Sequence, residues 1–178
     1  MGLRSTVLAL ALAASGVGAE QAWAVASCDA FTAALRTGAS DMGVEFSRAI
    51  VVSRTRSDAS VYDVTTKVDV DATLSCRGDE FVRFEARISE PANARTTTNF
   101  DRFQAAALKA ALGWDAAKSR GVLKGMTGDA REYLDASRQR GDVYVAGKTE
   151  EHVPGNVSLG LMATESDRTF VIVGPAGE

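Results

Sequence analysis

From Tyr62 to Cys76 the chain alternates with a period of two. The even positions read Tyr62, Val64, Thr66, Val68, Val70, Ala72, Leu74 and Cys76. The odd positions between them read Asp63, Thr65, Lys67, Asp69, Asp71, Thr73 and Ser75. Successive side chains of a strand point to opposite faces, so such alternation demands one buried and one wet face. It predicts a strand over 62–76 with Cys76 turned inward, and no helix satisfies it.

The RGDE turn leads into FVRFEARIS, where Val82, Phe84, Ala86 and Ile88 form the apolar set. Parity constrains this hairpin. A two-residue loop at Gly78-Asp79 with uniform pairing would set Leu74 against Arg83 and Ala72 against Glu85. A shift of one residue pairs Leu74 with Phe84, Ala72 with Ala86 and Val70 with Ile88, and places Asp71 opposite Arg87. The second register keeps each face uniform, so an odd-length loop or a bulge is required.

Upstream, VEFSRAIVVS (44–53) reads as a first strand whose Arg48 falls in phase with the apolar positions, and Arg54 and Arg56 lie in the following turn. Ser27-Cys28-Asp29 opens a helix in which Phe31, Ala34 and Leu35 share a face and Gly38 ends the run. After Pro91, the TTTN segment caps a helix from about Phe100 to Leu112, stopped by Gly113. Between Trp114 and Gly128 the pattern loosens into a short helical turn and a loop, with Gly121, Gly125 and Gly128 as breakers. A further helix follows over 129–140. Strands over about 142–149, 156–163 and 169–173 close the chain.

Three strands, a helical insert and three more strands describe an α+β fold. The expected architecture is an antiparallel sheet of about six strands with helices packed on one face, in a single domain.

Residues 1–24 have the layout of a secretory signal peptide. Arg4 precedes an apolar run from Val7 to Ala19, and small residues follow before Val25. The run is shorter than the roughly 20 residues a membrane span needs. Cleavage after Ala24 leaves 25–178 as the domain, periplasmic or secreted. It removes one base and one acid, so the net charge stays at −3. No basic stripe is visible along the chain, which argues against nucleic acid as a partner.

The stretch AWAVASC also resembles the box at which bacterial lipoproteins are cut and acylated, which would make Cys28 a lipid anchor. Glu20 and Gln21 stand where such signals keep charge out. The chain's two cysteines, Cys28 and Cys76, make an even count in an oxidising compartment and are expected to form a disulfide.

Candidate chemistry is sparse. His152, the only histidine, lies in TEEHVPG beside two glutamates. A metal site takes three or four protein ligands and no second histidine or thiolate cluster exists, so a solvated turn residue is the expectation. The glycines of RGVLKGMTG fit neither phosphate-loop spacing. Asp63, Asp69 and Asp71 share their face with Lys67, Arg83 and Arg87, which reads as a charge-balanced surface. Asn156-Val157-Ser158 matches the N-glycosylation pattern, a three-residue match that chance supplies often.

No catalytic residue, metal or cofactor is expected. Trp114, Val122, Leu123 and Met126 are the candidate contact patch. The expected function is that of an exported, non-catalytic domain binding a protein or cell-envelope component. The alternatives are a carrier with an apolar pocket between helices and sheet, and a carboxylate-based hydrolase.

Overall fold

The computed structural model describes residues 27–44, 51–54, 61–65, 70–142 and 146–175. The signal-peptide segment, Arg48, Arg56, Lys67 and Asp69 lie outside them. The chain is α+β: α1 (Cys28–Asp41), β1 (Val51–Arg54), β2 (Val61–Thr65), β3 (Asp71–Arg77), β4 (Glu80–Ser89), α2 (Ala94–Leu112), α3 (Ala116–Arg140), β5 (Ala146–Val153), β6 (Val157–Thr164) and β7 (Asp167–Val173). All strands join one antiparallel sheet in the order β1-β2-β3-β4-β7-β6-β5. Five of them, β3 through β5 in that order, form its body, and the short β1 and β2 extend one edge.

The strand count exceeds the expected six because the alternating run 62–76 is not one strand. It folds back on itself as β2 and β3, with Tyr62 opposite Leu74 and Asp63 opposite Thr73. Partners of equal parity keep every even residue on the same face, so a hairpin of this register carries the same period-two signature as one long strand. Val64, Val70, Ala72, Leu74 and Cys76 are all buried.

The β3–β4 hairpin adopts the register that parity favours: Leu74 faces Phe84, Ala72 faces Ala86 and Asp71 faces Arg87. Near the turn the pairing becomes Cys76 to Phe81 and Arg77 to Glu80, and the register shifts between Ser75 and Cys76. Gly78-Asp79 is thus a two-residue loop, and the odd residue is Val82 in a bulge. The bulge corrects the expected apolar set: Phe81 is buried and Val82 only half-buried.

Three helices cover one face. Ser27 caps α1, its hydroxyl accepting from the Ala30 amide at 3.2 Å. Phe31 and Leu35 point into the core. Gly38 does not end α1. It lies inside the helix where a Cβ would stand 3.0 Å from the Ala106 carbonyl oxygen, so it permits close crossing of α1 and α2. Lys109 pairs with Asp41, and Arg102 donates to the Gly43 carbonyl at 2.9 Å.

Helix α2 begins six residues earlier than the sequence suggests. Its cap is Asn93, whose side chain accepts from the Thr96 amide at 2.9 Å, and the threonines fill the first turns. Phe100, Phe103, Ala107, Leu108, Ala111 and Leu112 form the buried stripe as expected, and Gly113 closes the helix in the left-handed conformation at φ 67°.

The segment expected to break is continuous. Asp115 caps α3, which runs for 25 residues through Gly121, Gly125 and Gly128. Ser119, Leu123, Met126, Ala130, Leu134 and Ser137 recur at helical spacing on its buried side. The three glycines face outward with open space where a Cβ would sit. Tertiary packing along the buried side outweighs about 1 kcal/mol of propensity lost at each glycine. Gly125→Ala, and likewise Gly121→Ala, is therefore expected to raise stability by about 0.5–1 kcal/mol. A urea midpoint that falls in either variant would contradict this placement.

The rings of Phe31 and Phe81 stand 4.8 Å apart, Phe31 and Phe84 5.3 Å, and Phe84 and Phe103 5.8 Å. They occupy the helix–sheet interface that the carrier reading would hollow out. Cys28 and Cys76 are disulfide-bonded with sulfurs 2.04 Å apart. The start of α1 is also tied to the β3–β4 turn, the Cys28 amide donating to the Asp79 carbonyl at 2.7 Å. No helix among the described residues is long and apolar enough to cross a membrane.

Candidate functional site

Sheet parity decides which residues reach each surface. On the helix-free face β4 presents Arg83, Glu85 and Arg87, while β5 presents Lys148, Glu150 and His152. Between them β7 and β6 place Val171, Val173, Gly160 and Met162. All of these but His152 line an open hollow of about 400 Å³. Its cations are matched locally: Arg83 with Glu85 at 2.6 Å, Lys148 with Glu150 at 3.2 Å, and Arg87 with Asp71 at 3.7 Å. Exposed pairs of this kind add little binding energy and leave no net charge to recruit a ligand. Glu85 and Glu150 share a row but are separated by β7 and β6, about 14 Å between backbones at ordinary strand spacing. Paired catalytic carboxylates stand within about 5–9.5 Å.

His152 belongs to β5 and not to the turn. It is exposed, and its Nδ1 lies 2.9 Å from the Ser158 hydroxyl on the neighbouring strand. No cluster of three metal-ligating side chains occurs among the described residues. Asn156 sits in the β5–β6 turn with φ 56°.

The contact patch expected around α3 is corrected by burial. Trp114 is 8% exposed, Leu123 5% and Met126 fully buried, leaving Val122 half-buried against the core. Their spacing is the inner face of α3 and its entry from α2, so they are packing residues. Lys118 covers the Trp114 ring with its ammonium 4.3 Å from the centroid.

The surface that does stand out flanks the same helix, with Leu123 at its floor. A groove of about 550 Å³ runs between α2 and α3. Arg120, Lys124 and Arg131 line it from α3, Thr97 and Asp101 from α2, and Arg168 from the start of β7. Spacings of four and seven residues place the α3 cations along one stripe, with Thr127 and Gly128 between them. Four cations thus meet one carboxylate. The basic stripe missing from the linear sequence is assembled only by folding.

Arg168 is the unusual member. On β7 it is in phase with Phe170 and Ile172, so parity turns it toward the helices, and it is 5% exposed. Its Nε donates to Glu90 at 3.0 Å, and its guanidinium lies 5.5 Å from the Phe100 ring centroid. A buried guanidinium needs such partners, since an unpaired one would cost several kcal/mol.

The Asp101 carboxyl is raised above its ordinary 3.8: partial burial in the groove disfavours its charge and outweighs the pull of Arg168 and Arg131. The folded state therefore holds this proton more tightly than the unfolded chain. Ionisation of Asp101 costs stability as pH climbs through the raised midpoint. Carbon-detected NMR titration is expected to show that midpoint above 3.8, and Arg131→Gln is expected to move it higher still. A midpoint lowered by that substitution would mean the two groups do not face each other.

Comparison with known protein families, with characterised proteins and with solved structures gives no match. The groove is therefore read from its own residues. The sequence carried one signal for it: the phase of Arg168 with Phe170 and Ile172.

Proposed function

We propose that this is an exported, non-catalytic binding domain that captures an anionic cell-envelope component in the groove between α2 and α3. The observation that carries the reading is the charge of that groove. Arg120, Lys124, Arg131 and Arg168 face a single carboxylate, Asp101, on a chain whose net charge is −3. Even with Glu90 bound behind Arg168, positive charge remains in excess. Guanidinium groups present planar donor forks that match oxyanions, and concave walls strengthen their field. Export rests on the layout of residues 1–24, and the disulfide is consistent with an oxidising compartment.

Calorimetric titration with inorganic phosphate tests this. Saturable binding that weakens with added salt is expected, as is at least a tenfold loss in Lys124→Gln/Arg131→Gln, since charge-assisted hydrogen bonds contribute about 1.5–3 kcal/mol each. Both residues lie on the surface of α3, so the variant keeps its fold. Affinity unchanged in that variant, or no saturation up to ~10 mM, would remove the groove from consideration.

A further inference from the structure

Arg131 and Arg168 line two hollows, not one. A second hollow of about 250 Å³ at the end of the sheet shares these two arginines with the α2–α3 groove. Its walls come from the end of α3, the β4–α2 connection and the β6–β7 turn. Its charges are balanced: Glu90, Glu165 and Asp167 against Arg131, Arg138 and Arg168. Arg138 and Glu165 already pair at 3.3 Å, and Arg168 and Glu90 at 3.0 Å. Pro91, Leu134 and Ala163 supply an apolar portion of the lining, and Thr164 a hydroxyl.

The two chambers therefore ask for different chemistry at the two ends of one ligand. Arg131 and Arg168 are common to both, so together the hollows hold five cations against four carboxylates, and the excess lies at the Arg120 and Lys124 end, where an oxyanion is favoured. The second chamber, with its carboxylates matched by arginines, gives a second anion no net attraction. It offers alternating acceptors and donors beside an apolar wall. Hydroxyl groups both donate and accept, and the C–H face of a polyol can rest on proline and leucine.

Taking the anion-binding reading of the groove as its basis, we infer that the two adjoining hollows recognise a phosphorylated polyol. The phosphoryl group lies among Arg120, Lys124, Arg131 and Arg168, and the hydroxylated body lies beside Glu165 and Arg138. The same chemistry is offered by a free sugar phosphate and by a phosphoinositol lipid headgroup.

The test compares inorganic phosphate, a hexose 6-phosphate and the neutral hexose by calorimetry on the exported chain. A parallel arm uses sedimentation with phosphatidylinositol vesicles against phosphatidylglycerol vesicles of equal charge. A hexose phosphate at least tenfold tighter than inorganic phosphate is expected, with neutral hexose far weaker than either. Arg138→Gln/Glu165→Gln, both partly exposed positions, is expected to erase that advantage while leaving phosphate affinity unchanged. Selective pelleting with phosphatidylinositol would support the same chemistry and assign it to a headgroup; soluble binding without pelleting would assign it to a free sugar phosphate. If inorganic phosphate binds and neither the hexose phosphate nor the inositol headgroup gains over it, the polyol inference fails and the anion site stands. If none of the probes binds, both fail.

Discussion

Loss of the Cys28–Cys76 bridge is expected to lower the free energy of unfolding by about 4 kcal/mol. The two cysteines are separated by 48 positions, and cross-linking them removes loop-closure entropy that the unfolded chain would otherwise keep. Domains of this kind have only about 5–15 kcal/mol in total, so the reduced protein is left marginal. The local consequence is equally specific. Cys28 is the first residue of α1, and its bond to Cys76 holds the helix start against the β3–β4 turn. Urea unfolding of the oxidised protein beside Cys28→Ala/Cys76→Ala measures the difference. A loss under about 1 kcal/mol would mean that the hydrogen bonds around Ser27 and Asp79 already fix this corner, and that the bridge adds little.

Gly147→Ala is expected to cost about 3 kcal/mol, although it adds a single methyl group. A Cβ at Gly147 would overlap the Ala130 carbonyl oxygen and stand 2.7 Å from the Leu134 amide nitrogen. Both are backbone atoms of α3, so no side chain can swing aside. Relief requires α3 to lift from β5 or β5 to pull away from β6. Gly147 completes a cross-sheet row with Ile88, Arg168 and Ala163. Lifting α3 would therefore also widen the groove in which Arg168 sits. Thermal melts and phosphate affinity should fall together in this variant. A melting temperature equal to that of the parent would show that α3 does not approach β5 this closely.

The sequence made the antiparallel sheet, the hairpin register at Leu74–Phe84 and the helical cover legible, because each rests on a local period. What escaped it depends on events that period cannot report. The 62–76 run looks the same whether straight or folded at even parity, so β2 and β3 were indistinguishable from one strand. Glycine propensity argued for breaks at Gly121, Gly125 and Gly128, while the packing of Leu123, Met126 and Ala130 that overrides it becomes visible only in three dimensions. For the same reason Trp114, Leu123 and Met126 read as a surface and are core. The candidate site was the least legible part. Arg120, Lys124 and Arg131 are unremarkable surface cations until Arg168, distant in sequence, arrives beneath them. Only the inward phase of Arg168 hinted at it.

Trp114 gives the fold an optical consequence. The chain has two tryptophans, Trp23 in the segment expected to be cleaved and Trp114, which is the sole indole of residues 25–178. It stands between the end of α2 and the Asp115 cap of α3, 8% exposed, with the Lys118 ammonium over its ring. Its emission should lie toward the blue in the native state and shift red when the α2–α3 junction opens. Because α3 also forms one wall of the groove, a single unlabelled fluorophore can follow both unfolding and any ligand that draws the two helices together.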